Sequence, residues 1–335
     1  MHRLSGLLLV LLTLAVQPVG ALAAPLRVAT TTPDLANLVE TVGGEHVEVT
    51  SFAAGTQDPH FVEARPSFIK VLSRTDLFVT VGLQLEIGWV PPLLRSARNA
   101  KIQPGGPGAL DASAAIPLLG QRTGVVDRSM GDVHASGNPH YLLDPVNGLR
   151  VAGEIRDRLT ELRPEAAAEF QQRTAEFEQR LLARLVGEEI VARHGAEVVA
   201  TAVLADRLPA GVDGAALGGW LGAMRPHRGK AVIADHDLWP YFARRFGFVV
   251  AGFLEPLPGI TPTTKHLGEI ATLMKQRGIR AILSAAYFSP RYAEKVADAT
   301  GAQVLEMSNQ VGARKGVDDY LEMIDRDVAL VAGAL

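Results

Sequence analysis

Between Pro164 and about Arg193 the chain carries no strand signal and no glycine before Gly187, and this stretch constrains the fold more than any other feature. Pro164 suits a first helical turn, and Glu165 and Glu169 set negative charge at the positive end of a helix dipole. Phe170, Phe177, Leu181 and Leu185 follow at spacings of seven, four and four, a single apolar stripe. About thirty residues rising 1.5 Å each make a rod of roughly 45 Å. Such a rod reaches across a whole lobe, so it reads as a spine joining two halves.

On both sides of it, short β-branched runs alternate with amphipathic stretches. Strand patterns cover 26–30, 47–52 and 77–81 before the rod, and 232–234, 249–253, 281–284 and 304–307 after it. Helical patterns such as 33–42 and 66–74 lie between them, which is the alternation of a parallel sheet. The expected fold class is α/β: two lobes, each a mainly parallel sheet flanked by helices, joined by a long spine helix. The expected boundaries are an N-terminal lobe over 24–163, the spine over 164–194 and a C-terminal lobe over 195–335.

Residues 1–23 read as a cleaved export signal, with His2 and Arg3 ahead of an apolar run over 7–16 and a small-x-small site at Ala21-Leu22-Ala23. The chain has no cysteine, which removes disulfides, thiolate metal ligands and a lipid-modified N-terminal cysteine together. A periplasmic protein that is not a lipoprotein is expected, and any metal must be held by nitrogen and oxygen. Thirty-three basic residues against 36 acidic ones leave a net charge of −3, so there is no bulk positive charge for nucleic acid.

Three of the nine histidines sit in punctuated settings. His60 lies in Asp58-Pro59-His60 and His140 in Asn138-Pro139-His140, each presented from a proline-stiffened loop beside a helix start. His236 follows the strand pattern 232–234, at the carboxyl end of a strand, where open parallel sheets bind ligands.

Four blocks in order carry a resemblance. They are Asp58-Pro59-His60-Phe61-Val62-Glu63-Ala64-Arg65-Pro66-Ser67 running on to Gly82, Glu86 and Trp89; Pro139-His140 with Leu143-Asp144-Pro145; His236 with Tyr241-Phe242, Arg245 and Gly247; and Phe288-Ser289-Pro290-Arg291 with Thr300-Gly301-Ala302. Over essentially all the chain after residue 23, the sequence resembles the zinc- and manganese-binding periplasmic solute-binding proteins of ABC importers. The resemblance implies a monomer that clamps one divalent ion between its lobes and docks on a membrane ABC permease, with ligand positions at His60, His140 and His236. It also implies a fourth position, usually Asp, which falls here on Asn309. Asn309, Glu255 and water are the alternatives for that place. Zinc-binding relatives carry a mobile His- and acid-rich insertion near 127–134, so Asp127, Asp132 and His134 form either a reduced metal-capture loop or an ordinary solvent loop.

Three neutral imidazoles without thiolate suit tetrahedral Zn²⁺, whereas Mn²⁺ stands low in the affinity order and favours oxygen. A three-histidine zinc hydrolase uses a similar ligand set, but the sequence has no HExxH-type motif and no evident general base, so a non-enzyme is expected. A manganese-binding member of the same family is the other alternative. A rigid spine implies that metal-driven change is local to the loops around His60, 127–134 and His236. Zinc needs deprotonated rings, so affinity should fall between pH 7 and 5, approaching a thousandfold per unit if all three rings are protonated without metal and less if the fold depresses their pKa values.

Overall fold

A computed structural model of the protein describes residues 24–121, 134–257 and 259–335. The export signal, Asp127 and Asp132 lie outside the described residues.

The first lobe runs β1 (Leu26–Thr30), α1 (Pro33–Gly43), β2 (Val47–Ser51), α2 (Pro66–Leu72), β3 (Leu77–Thr80), α3 (Val90–Ala97) and β4 (Ala109–Asp111). A helical layer follows, made of α4 (Pro145–Leu162), α5 (Ala167–Val186), α6 (Glu188–His194), α7 (Ala196–Leu204) and α8 (Gly219–Met224). The second lobe runs β5 (Ala231–Ala234), α9 (Pro240–Phe246), β6 (Val249–Phe253), α10 (Thr264–Arg277), β7 (Ala281–Ser284), α11 (Pro290–Thr300), β8 (Gln303–Glu306) and α12 (Tyr320–Ala334). Every strand pairing is parallel, in the orders β2-β1-β3-β4 and β6-β5-β7-β8. Each order reverses direction at its first strand, and the carboxyl ends flanking that reversal are where an open sheet leaves a crevice. Among the described residues no helix is long and apolar enough to cross a membrane.

The helix expected over 164–194 is not continuous. A 3₁₀ turn over Pro164–Ala166 precedes α5, and α5 ends at Gly187, whose φ of 99° no L side chain adopts easily. A Cβ there would also come within 3.0 Å of the Gly218 backbone, so the chain breaks where two glycines touch. The true rod is the 20 residues of α5, on the order of 30 Å long. Its predicted stripe is buried as expected, with Phe170, Phe177, Leu181 and Leu185 each at most 3 % exposed.

That stripe belongs to one apolar cluster holding Leu35 and Val79 of the first lobe, Phe170 and Leu181 of α5, and Trp239 and Leu283 of the second. The outer faces of the two sheets have their own smaller cores, around Phe78 and Trp89 in one lobe and Ile233 and Met274 in the other. Polar ties reinforce the shared core. Val311 N–H donates to Asp34 Oδ1 at 2.6 Å, Tyr320 N–H to Asn37 Oδ1 at 3.0 Å, and Tyr320 Oη–H to the Leu142 carbonyl. The Tyr320 ring lies against Gly148 of α4, where a Cβ would meet ring atoms at 2.6 Å.

Gly148→Ala therefore sets an overpacking cost of about 1–3 kcal/mol against a helix-propensity gain of about 1 kcal/mol. Because the buried tyrosine cannot swing away, the denaturation midpoint should fall. A raised midpoint in urea would show that the interlobe seam is looser than described.

Candidate metal centre

His60 sits in a 3₁₀ turn over Pro59–Phe61 that Asp58 caps: Asp58 Oδ1 accepts His60 N–H at 3.0 Å. The same oxygen lies 2.7 Å from His60 Nδ1. A carboxylate only accepts, so Nδ1 carries the proton and Nε2 is left bare. Trp89 Nε1–H donates to the Pro59 carbonyl at 2.9 Å and fixes the turn on the lobe.

His236 follows β5, and a bulge supplies its partner. Val232 pairs with Val250 but Ala234 pairs with Phe253, so β6 holds one extra residue. Continued in regular register, Leu254 would stand opposite His236; the extra residue brings Glu255 there instead. Glu255 Oε2 lies 2.7 Å from His236 Nδ1, which again fixes the proton on Nδ1 and leaves Nε2 free. Buried Asp235 holds the backbone by accepting from His236 N–H and Ala285 N–H at 2.9 and 2.7 Å.

His140 is held by Asn138, whose Oδ1 accepts His140 N–H at 3.0 Å while its Nδ2 donates to the Asp237 carbonyl at 2.8 Å. One side chain thus ties the second histidine loop to the third. Four residues after His140, Asp144 caps α4 and takes both guanidinium arms of Arg245 at 2.8 and 2.9 Å.

The ring centroids of His60, His140 and His236 lie 5.5, 6.3 and 6.2 Å apart in the three pairings. A fourth imidazole joins them: His134 Nε2 is 3.0 Å from His60 Nε2. A neutral ring has one N–H. His60 commits its own to Asp58, so its Nε2 offers a lone pair toward His134. A cation between the two rings would take a lone pair from each, and two nitrogens on one tetrahedral zinc stand roughly 3.3 Å apart.

Burial and the charges of His60 and His236 push His134 down to about 4. Burial, then the three neighbouring imidazoles, pushes His140 well below the ordinary histidine value. For His236 burial pulls downward, but the Glu255 hydrogen bond and charge outweigh it and the net shift is upward.

The other sequence candidates are already engaged. Glu255 serves His236, and Asn309 Oδ1 accepts Ala286 N–H at 3.2 Å. Glu63, three residues after His60, is exposed and pairs with Arg65, not with a histidine. The supporting roles of Asp58 and Glu255 were not read from the sequence; for Asp58 the Asp-Pro-His turn itself was the available signal, whereas Glu255 depends on a bulge that no pattern announces.

Among the described residues possible ligand atoms also converge elsewhere: those of Glu45, His46 and Glu169 lie within 4.8 Å of one another. This group lies at the amino end of β2, opposite the imidazole cluster. There His46 Nε2 bonds Glu169 at 2.8 Å, and Arg163 and Arg173 reach the same segment, at the His46 and Thr41 carbonyls. Two guanidiniums beside it oppose a cation, and the group serves to join α5 to the sheet.

Residues 28–186 and 221–334 match the family model of ZnuA, the periplasmic zinc-uptake complex component A. The chain is 26 % identical over 189 residues to the high-affinity zinc uptake system protein ZnuA of Brucella abortus, covering 55 % of this chain and 46 % of that protein. It thus spans about half the length of that curated relative. It is 22 % identical over 263 residues to the manganese-binding lipoprotein MntA of Bacillus subtilis, covering 77 % and 70 %. A crystal structure of ZnuA superposes with a TM-score of 0.68 at 21 % identity, covering 92 % of this chain and 99 % of that one, which shows the shared fold.

The pH dependence of metal binding follows from the proton count. Burial pushes His134 and His140 toward the neutral form, whereas the raised pKa of His236 favours a proton that a metal must displace. Zinc affinity should fall with acid at the slope of one or two protons, roughly ten- to a hundredfold per pH unit and not the thousandfold of three. Calorimetric titrations across that range check it; a flat profile or a three-proton slope would contradict the arrangement.

Proposed function

Because the chain belongs to the family of periplasmic zinc-uptake component A, we propose that it captures a divalent metal ion, Zn²⁺, between its lobes and delivers it to a membrane ABC permease. His60, His140 and His236 bind the ion, and His134 supplies a fourth nitrogen where the resemblance led to Asn309. The observation that supports this reading most is the convergence of four imidazoles, with His60 Nε2 3.0 Å from His134 Nε2 and His140 and His236 alongside.

The choice of zinc over manganese rests on ligand chemistry. The two carboxylates nearest the rings, Asp58 and Glu255, are spent on Nδ1 protons, so what faces the ion is nitrogen. Borderline-soft Zn²⁺ accepts an all-imidazole shell, while Mn²⁺ loses the oxygen ligands it favours. A hydrolase would need one of those carboxylates free beside an open coordination position as a general base, and both are engaged. The export signal over 1–23 and the absence of cysteine fit a periplasmic protein released by cleavage and without a lipid anchor.

Zinc binding to the metal-free protein should titrate at one ion per chain and outcompete manganese by orders of magnitude. Replacing any one of His60, His140 or His236 by Ala should weaken it about a hundredfold or more, beyond what loss of a supporting partner costs. A triple variant that still binds one zinc tightly would refute the ligand set.

A further inference from the structure

Asn138, 8 % exposed, stands where the loop entering α4 meets the loop leaving β5. Its Oδ1 accepts His140 N–H at 3.0 Å and its Nδ2 donates to the Asp237 carbonyl at 2.8 Å. A backbone N–H only donates and a carbonyl only accepts, so the two partners settle which end of the amide is oxygen. Pro139 biases the residue before it to extended backbone, which limits where that amide can point. The backbone is held from behind as well: Asn138 N–H donates to the Leu119 carbonyl at 2.8 Å, and Leu119 N–H donates to Tyr241 Oη on α9 at 2.9 Å. Asp237 directly follows His236, and Asn138 precedes His140 by two residues. One amide thus joins the backbones that carry two of the rings, whose centroids lie 6.2 Å apart with their planes at 82°.

We infer that Asn138 is a positioning residue that sets the coordination geometry: by bonding His140 N–H and the Asp237 carbonyl at once, it fixes the spacing of His140 and His236 across the cleft. The inference rests on the proposed role of those two histidines as ligands. Asn138 acts through backbone, its amide oxygen and nitrogen both being turned to backbone partners. Zinc takes four ligands in a tetrahedron, whereas manganese favours an octahedral shell rich in oxygen. Two rings held at one spacing suit the smaller shell. With the amide gone, the loops can separate and water can enter between the rings, which narrows the difference between the two metals.

The test is a double-mutant cycle on zinc affinity, with manganese competition and Co²⁺ absorption as readouts of the coordination shell. Asn138→Ser is the discriminating variant. A serine hydroxyl can still accept the N–H two residues on, as in an ST turn, but it is too short to reach the Asp237 carbonyl. Asn138→Ala loses both bonds. The serine variant should weaken zinc about tenfold, reduce the preference for zinc over manganese, and lower the intensity of the visible cobalt bands as a four-coordinate shell admits water. The alanine variant should do so at least as strongly. In a His140→Ala background Asn138→Ser should cause no further loss. If Asn138→Ser lowers only the melting temperature and leaves affinity and spectrum as in the parent, or if its effect adds to that of His140→Ala, Asn138 is structural and the inference falls alone. If His140→Ala itself binds zinc as the parent does, the proposed ligand set falls, and the positioning role with it.

Discussion

Asp144 and Arg245 hold the two halves of the imidazole cluster in one frame. The carboxylate caps α4 four residues after His140, and the guanidinium sits on α9 nine residues after His236, so one bidentate pair fixes both helices against each other. Both partners are largely out of solvent, 8 % and 15 % exposed at the side chain. Arg245 also pairs with Asp206 at 3.1 Å, so it is removal of the guanidinium that would strand the buried Asp144 carboxylate, at a cost of about 3–5 kcal/mol. Around this pair Asn138 reaches Asp237, and Tyr241 Oη accepts Leu119 N–H at 2.9 Å. The apolar cluster runs unbroken beneath them. A seam of this kind does not open like a hinge between two free lobes.

Within that frame the chemistry is a matter of where each ring keeps its proton. Asp58 and Glu255 take up the Nδ1 protons of His60 and His236 and turn their Nε2 atoms toward the cleft, an outer shell that raises ligand basicity and fixes tautomer. His134 and His140 have no such carboxylate partner, and burial beside like rings pushes both toward the neutral form. The carboxylates are thereby consumed in aiming nitrogen. A donor set built this way is already selective, because an oxygen-seeking ion finds no free carboxylate at hand. The same proton accounting reduces the acid sensitivity expected from three exposed histidines.

Much of this was legible in the chain. The β-then-α alternation, the glycine-free helical stretch between the two halves, and His60, His140 and His236 in their Pro-framed or post-strand loops all follow from local pattern, because each is set by residues adjacent in sequence. What was not legible depends on distant contacts. β4 is three residues behind a Gly/Pro-rich loop, too short to signal itself. The spine looked continuous because the break at Gly187 is imposed by Gly218, thirty-one positions on. Glu255 reads as a loop carboxylate until the bulge in β6 turns it onto His236. His134 lay in a loop whose capture role was one of two readings, and only the approach of His60 from 74 positions away gives it a place in the cluster.

The central claim is that one zinc ion is held by imidazole nitrogen contributed from both lobes. X-ray absorption at the zinc edge of the one-to-one complex tests it most directly, since it counts and identifies the first-shell atoms without reference to affinity. The account predicts four nitrogen scatterers at about 2.0–2.1 Å with the outer-shell pattern of imidazole rings. A shell dominated by carboxylate oxygen, or one with fewer than three imidazoles, would contradict it.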